Sequence, residues 1–249
     1  MNMFLPRAVL ACAFALSACG GSNAAPSGAL PAQQGGARVR FADGAPLLET
    51  LINGVPQDIG TAYLQMDGAT VASQFSYGTL TPFLGVAAGA HSLVARDQLG
   101  YAVGPLKTPS LTAGSRYTLI VVGAYPNYRV LAFGEPKSTS GAQLSFYEAS
   151  PAVATADFGS FTASNHSNFK PLGSAHLGNV VTVGIGGHVA NFGGFVGPAN
   201  APIGTLTPAQ IDPFDAHNVL PFHRIGRLSL FLFDRKYASV APVFGSLDQ

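Results

Sequence analysis

Tyr63-Leu-Gln-Met-Asp-Gly-Ala-Thr-Val-Ala-Ser-Gln-Phe75 decides the reading of the fold. Two β-rich runs, residues 63–66 and 70–75, flank Asp67-Gly68, a dipeptide that takes positive φ readily and closes a tight hairpin. The same pattern continues outward. In residues 37–41, Val39 and Phe41 point to one side and Arg38 and Arg40 to the other, which predicts a half-buried strand stopped by Pro46. Strands are also predicted at 79–86, 91–96, 117–122 and 129–133. Ala88-Gly89, Gln98-Leu99-Gly100, Ala113-Gly114 and Pro126-Asn127 supply the turns between them. No stretch of helical period has useful length here, so about seven short strands predict a β-sandwich.

The composition agrees. Gly 30 and Pro 18 in 249 residues, with frequent Val, Thr, Phe and Tyr, describe short strands and many turns. Only 10% of residues are charged, against roughly 25% in ordinary soluble domains. Lys+Arg 13 and Asp+Glu 12 nearly balance. Without a basic excess there is no electrostatic footprint for a phosphate backbone, which argues against nucleic acid as a partner.

A repeat sets the domain count. Residues 37–46, Ala-Arg-Val-Arg-Phe-Ala-Asp-Gly-Ala-Pro, align without a gap on residues 142–151, Ala-Gln-Leu-Ser-Phe-Tyr-Glu-Ala-Ser-Pro, an offset of 105. Residues 116–122, Arg-Tyr-Thr-Leu-Ile-Val-Val, align on 227–233, Arg-Leu-Ser-Leu-Phe-Leu-Phe, an offset of 111. Similar offsets at a first and a late strand predict two copies of one fold. The expected architecture is all-β: two tandem immunoglobulin-like sandwich domains at 37–134 and 142–249, joined by a short polar segment. In the second copy, glycines between 184 and 194 predict hairpin turns. Thr207-Pro-Ala-Gln210 has the form of a capping box and predicts one helical turn.

The N-terminal 36 residues read differently. Arg7 followed by an apolar run over 8–16 has the form of a secretory signal, and the run is too short for the roughly 20 residues of a spanning helix. Leu16-Ser17-Ala18-Cys19 is similar to the lipobox of bacterial lipoproteins. That resemblance implies removal of residues 1–18 and acylation of Cys19, including palmitate. Each buried acyl CH₂ contributes about 0.8 kcal/mol, and two or more chains hold a protein stably at a membrane. Cys12 would leave with the signal, so the mature chain would contain no disulfide. Residues 20–36 are small, polar and Gly-rich, a flexible linker with a reach of about 20–25 Å. Gly20 follows Cys19 where enteric lipoproteins kept at the inner membrane typically carry Asp. By that resemblance an outer-membrane location is expected.

Residues 37–41, 63–68, 75–83, 88–93 and 113–123 together resemble the domain-of-unknown-function 4397 family, exported bacterial β-sandwich modules often found in lipoproteins or tandem arrays. The resemblance covers 37–134 well and 142–235 loosely. It carries no established catalytic residues and implies a place and a fold. Residues 47–61, with Asn53-Gly54, are longer than the family leads one to expect and form either an extra hairpin or a binding loop.

Motifs for chemistry are weak. His166, His176, His188, His217 and His223 all fall in the second copy, and Asp215, His217 and His223 are the best-spaced set for a metal, a reading that ranks below surface or hydrogen-bonded histidines. Gly-x-Ser-x-Gly is absent, and the glycines from 184 lack phosphate-loop spacing. Tyr63, Tyr77, Tyr101, Tyr117, Tyr125 and Tyr128 could form a carbohydrate-stacking platform, but residues of this kind more often fill or rim a core. Tyr125 and Tyr128, flanking a turn, are expected to face water, and with Asn53 and Gly54 they are the candidate contact surface. The expected protein is a non-enzymatic, cofactor-free, membrane-tethered envelope module for binding, scaffolding or surface interaction with a protein or carbohydrate. A metal-binding envelope protein is the alternative.

Overall fold

The computed structural model describes residues 35–136, 143–162, 165–184, 189–190, 194–196, 202–205, 219–220, 227–236 and 243–248. Among them there are strands and no helix. The strands up to residue 136 are β1 (Ala37–Asp43), β2 (Glu49–Ile52), β3 (Val55–Asp58), β4 (Ala62–Met66), β5 (Ala69–Phe75), β6 (Leu84–Val86), β7 (Ser92–Arg96), β8 (Ala102–Lys107), β9 (Arg116–Val122) and β10 (Arg129–Gly134). Beyond it come β11 (Gln143–Glu148), β12 (Thr155–Thr162), β13 (Asn165–His176), β14 (Val180–Gly184), β15 (Val189–Ala190), β16 (Gly194–Val196), β17 (Pro202–Thr205), β18 (Val219–Leu220), β19 (Arg227–Leu232) and β20 (Val243–Asp248). The glycine turns at 185–188 and 191–193 and the helical turn at 207–210 lie outside the described residues.

Two four-stranded sheets, ordered β10-β9-β1-β6 and β5-β4-β7-β8, enclose the first core. Val39, Phe41, Leu64, Met66, Phe75, Leu93, Leu119 and Val121 fill it. The Asp67-Gly68 hairpin forms as expected, with φ of 50° and 84° at the turn and β4 antiparallel to β5. Two further sheets, β14-β11-β19-β20 and β13-β12-β16-β17, contain most of the remaining strands. Phe146 of β11 and Phe158 of β12 stack at a centroid distance of 3.7 Å and link them.

The repeat is visible in the pairing. β1 runs parallel to β9 with Arg38 opposite Arg116 and Asp43 opposite Val121. β11 runs parallel to β19 with Gln143 opposite Arg227 and Glu148 opposite Leu232. These are the residues aligned by the offsets of 105 and 111, so both ladders have one register. At the strand ends the match continues: Gly44 N donates to Val121 O, and Ala149 N to Leu232 O.

Three expectations are corrected. β1 is not half-buried: Arg40 is 2% exposed, because β11 and β19 cover its second face. There Ala42, Ile120, Val122 and Phe133 pack on Tyr147, Ala149, Phe231 and Phe233. Within that contact Glu135 accepts from Arg40 (3.3 Å), Arg227 (3.2 Å), the Tyr147 hydroxyl (2.9 Å) and Thr118. Arg40 also reaches Thr118 Oγ1 at 2.7 Å and Ser229 Oγ at 3.3 Å. Buried charges need such partners, and the two halves of the chain supply them jointly.

The strand expected over 79–86 is continuous only at Leu84–Val86, with Leu80 making an isolated bridge to Ala42. Pro82 has no N–H to give a ladder, and Thr81 instead binds Phe41 through both its backbone and its hydroxyl. β8 is the strand not anticipated, since Gly104-Pro105 breaks its pattern. Gly104 has φ 118°, and a Cβ there would lie 2.7 Å from Leu93 O, so the bulge between β7 and β8 admits only glycine.

Candidate functional site

β1 gives the first sandwich two ends. Residues 1–36 enter at Ala37, where Gly36 O accepts from Gly114 N. The opposite end lies about 20 Å along the strand, at Asp43. Here the chain turns into 47–61, returns past Tyr77 and Gly78 (Gly78 N to Asp43 O, 2.8 Å), and forms the 97–101 and 123–128 turns.

Residues 47–61 form an extra hairpin. β2 and β3 pair antiparallel, with Ile52 opposite Val55, and Asn53 (φ 54°) and Gly54 (φ 80°) make the turn. Positive φ at both central positions suits the right-handed twist of a two-residue hairpin. The tip is uncharged and flanked by exposed apolar side chains: Leu51 is 52% and Val55 56% exposed.

Tyr128 is placed differently from expectation. It is half-buried against the first core, and its hydroxyl donates to Leu47 O (2.8 Å) while accepting from Glu49 N (2.7 Å). The ring is buried because it closes the base of the hairpin. Burial, with the nearby charges of Glu49, Asp58 and Asp43, pushes its phenol up to about 12 against the opposing Glu49 amide bond. Tyr125 is also half-buried. The structure therefore brings Tyr128 to the stem of the hairpin that carries Asn53 and Gly54 at its tip.

Asp43 supports this end from beneath. It is 1% exposed, and burial raises its carboxyl to about 7, opposed by the Ala45 amide and Lys236 and helped by Asp58. Lys236 Nζ lies 3.7 Å from Asp58 Oδ2, so the second half of the chain reaches the hairpin base. Glu148 is the corresponding acid of the second ladder and accepts from Ser150 N at 2.9 Å, as Asp43 accepts from Ala45 N at 3.0 Å. Burial raises it to about 8, and the neighbouring Asp234 adds to the rise.

Beside the hairpin base, a groove of about 440 Å³ opens between Ile59, Thr61 and Tyr63, the end of β5 at Ser73 and Gln74, and the 97–99 turn. Asp97 builds that turn: its Oδ1 accepts from Tyr101 N (2.8 Å) and its carbonyl from Gly100 N (3.3 Å). Tyr63 is 36%, Tyr101 38% and Leu99 82% exposed. With Leu51 and Val55 they make five of the six most exposed large apolar side chains among the described residues; the sixth is Leu172. None of the six tyrosines singled out in the sequence is fully buried; they rim the core. The groove is not legible in the sequence, since its walls come from three separated segments.

Asp215, His217, His223, His188 and Cys19 lie outside the described residues, and only the backbone of His166 is described. His176 is exposed and shares a 2.7 Å hydrogen bond with Thr155 Oγ1. His91 holds Asp67 Oδ2 at 2.6 Å and Ala87 O at 2.9 Å, bracing the β4–β5 turn. Among the described residues, no three His, Cys, Asp or Glu side chains gather as a metal site would require.

No curated protein matches the chain. Residues 50–159 match a domain of unknown function, DUF4397, from within β2 to within β12. Over these residues the chain is similar to the DUF4397 family.

Proposed function

We propose that the chain is a lipid-tethered, non-enzymatic lipoprotein of the cell envelope, at the outer membrane, built from two sandwich modules and serving as a binding module. Its signal would be residues 1–18, its anchor Cys19, its linker residues 20–36, and its modules 37–134 and 142–249. One observation carries the reading: the exposed apolar side chains gather at the end of the first sandwich opposite the entry of the linker. A protein held through that linker would present Leu51, Val55, Tyr63, Leu99 and Tyr101 away from its attachment, on a frame stiffened by the buried contact between the two ladders.

The test is fractionation of cells expressing the chain and its Cys19→Ala variant. The native chain is expected in the membrane fraction and the variant among soluble envelope proteins. A variant that stays with the membrane overturns lipid attachment.

A further inference from the structure

We infer that the groove at Tyr63 takes a segment of a neutral polysaccharide. This deepens the reading of the chain as a binding module and rests on it. The first argument is charge. Among the described residues no Lys, Arg or His lines the groove, and the one charged lining residue is the acid Asp97. Arg96, opposite Tyr63 in the β4–β7 ladder, is a neighbouring cation and gives its guanidinium to Gly100 O at 2.7 Å, so an anionic ligand in the groove meets Asp97 without a cation among the lining residues.

The second argument is hydrogen-bonding capacity. Thr61, Ser73, Gln74 and Gln98 bring two hydroxyls and two primary amides to the walls, and these side chains have no partner among the described residues. Hydroxyls and amides both donate and accept, which matches sugar hydroxyls better than it matches the one-sided demand of an ion. Asp97 adds acceptors whose positions are fixed by its bond to Tyr101 N.

The third is shape. Tyr63 stands on the outer face of β4, since its neighbour Leu64 points into the core at 1% exposure. The ring therefore offers an apolar surface at the groove, which Leu99 also lines. The groove's volume falls within the range of small-ligand sites. It opens to solvent at the rim, so a polymer can pass through without presenting a chain end.

Affinity electrophoresis tests this, using the whole chain purified in neutral detergent and native gels containing a β-glucan, an α-mannan or polygalacturonate. Retardation by at least one neutral polymer is expected, with none by polygalacturonate. Tyr63→Ala should weaken the retardation about tenfold. Gln98→Ala, in an exposed turn, should weaken it without disturbing the core. Retardation only by polygalacturonate, no retardation in either neutral gel, or retardation unchanged in both variants overturns the assignment. Fractionation of the Cys19→Ala variant is independent of this outcome. A chain that is tethered but not retarded is still a tethered module, and its rim then serves a protein partner instead of a glycan.

Discussion

The ladder of β1 with β9 and that of β11 with β19 have the same register but opposite surroundings at the same point. In the first, Asp43 ends the strand facing Lys236; in the second, Glu148 ends it facing Asp234. Both acids are buried and both accept a backbone N–H two residues on. The repeated part is the turn that these hydrogen bonds hold. What differs is the charge nearby: after burial, Lys236 opposes the rise at Asp43 and Asp234 adds to it at Glu148. Among the described residues, five of the six most exposed large apolar side chains belong to the first sandwich.

The comparison is most strongly tested at Glu135, which receives Arg40 from one ladder and Arg227 from the other. Its side chain is 2% exposed. Glu135→Ala leaves two guanidinium groups with no counter-charge at this point, and a loss of about 3–5 kcal/mol is expected in urea denaturation. A loss below about 1 kcal/mol would mean that the ladders are held together by apolar packing alone.

A smaller effect separates two equivalent glycine and alanine positions. Gly44 corresponds to Ala149, yet a Cβ at 44 would lie 2.8 Å from the Phe233 ring and 3.0 Å from Ile120. Gly44→Ala is expected to cost about 1–3 kcal/mol by overpacking. An equal melting temperature for Gly44→Ala and the native chain would show that Phe233 moves aside freely.

The third test is a slope with pH. For each raised carboxyl the folded state prefers the proton. The contribution to stability is complete below the ordinary carboxylate range and is lost as pH rises through about 7 for Asp43 and about 8 for Glu148. Stability should therefore decline from pH 5 to 8, by at most about 1.4 kcal/mol per pH unit for each group. Glu148→Gln keeps an acceptor for Ser150 N and should remove the upper part of the decline. An unchanged slope in that variant assigns the decline to other groups.

What the sequence made legible was local. Asp67-Gly68, the alternation of β1 and the apolar run of β19 are each written within a few residues. The offsets of 105 and 111 go further, because the same residues turn out to be partners in matching ladders. Arg40 was misread because alternation tells which residues share a face, and nothing in residues 37–43 tells that a second sheet covers the other face. Tyr128 was misread as solvent-facing because its partners, Leu47 and Glu49, lie some eighty residues earlier. β8 was hidden by Gly104-Pro105, which ordinarily marks a loop. The groove needed residues from 59–63, 73–74 and 97–99 to meet, and the only hint was a set of tyrosines whose exposure the sequence does not give.

The contact of Arg40 with Ser229 spans 189 residues. A chain made from its N-terminus produces that arginine early and its last neighbours late. In the interval β1 lacks β9, and one of its faces lacks the strands that cover it. Closure over such separations is slow compared with the hairpins, which form from adjacent residues. The buried guanidinium therefore acts as a timer. Arg40 gains its contact with Ser229 only once β19 has docked, a closure over far longer separations than any hairpin within the first sandwich.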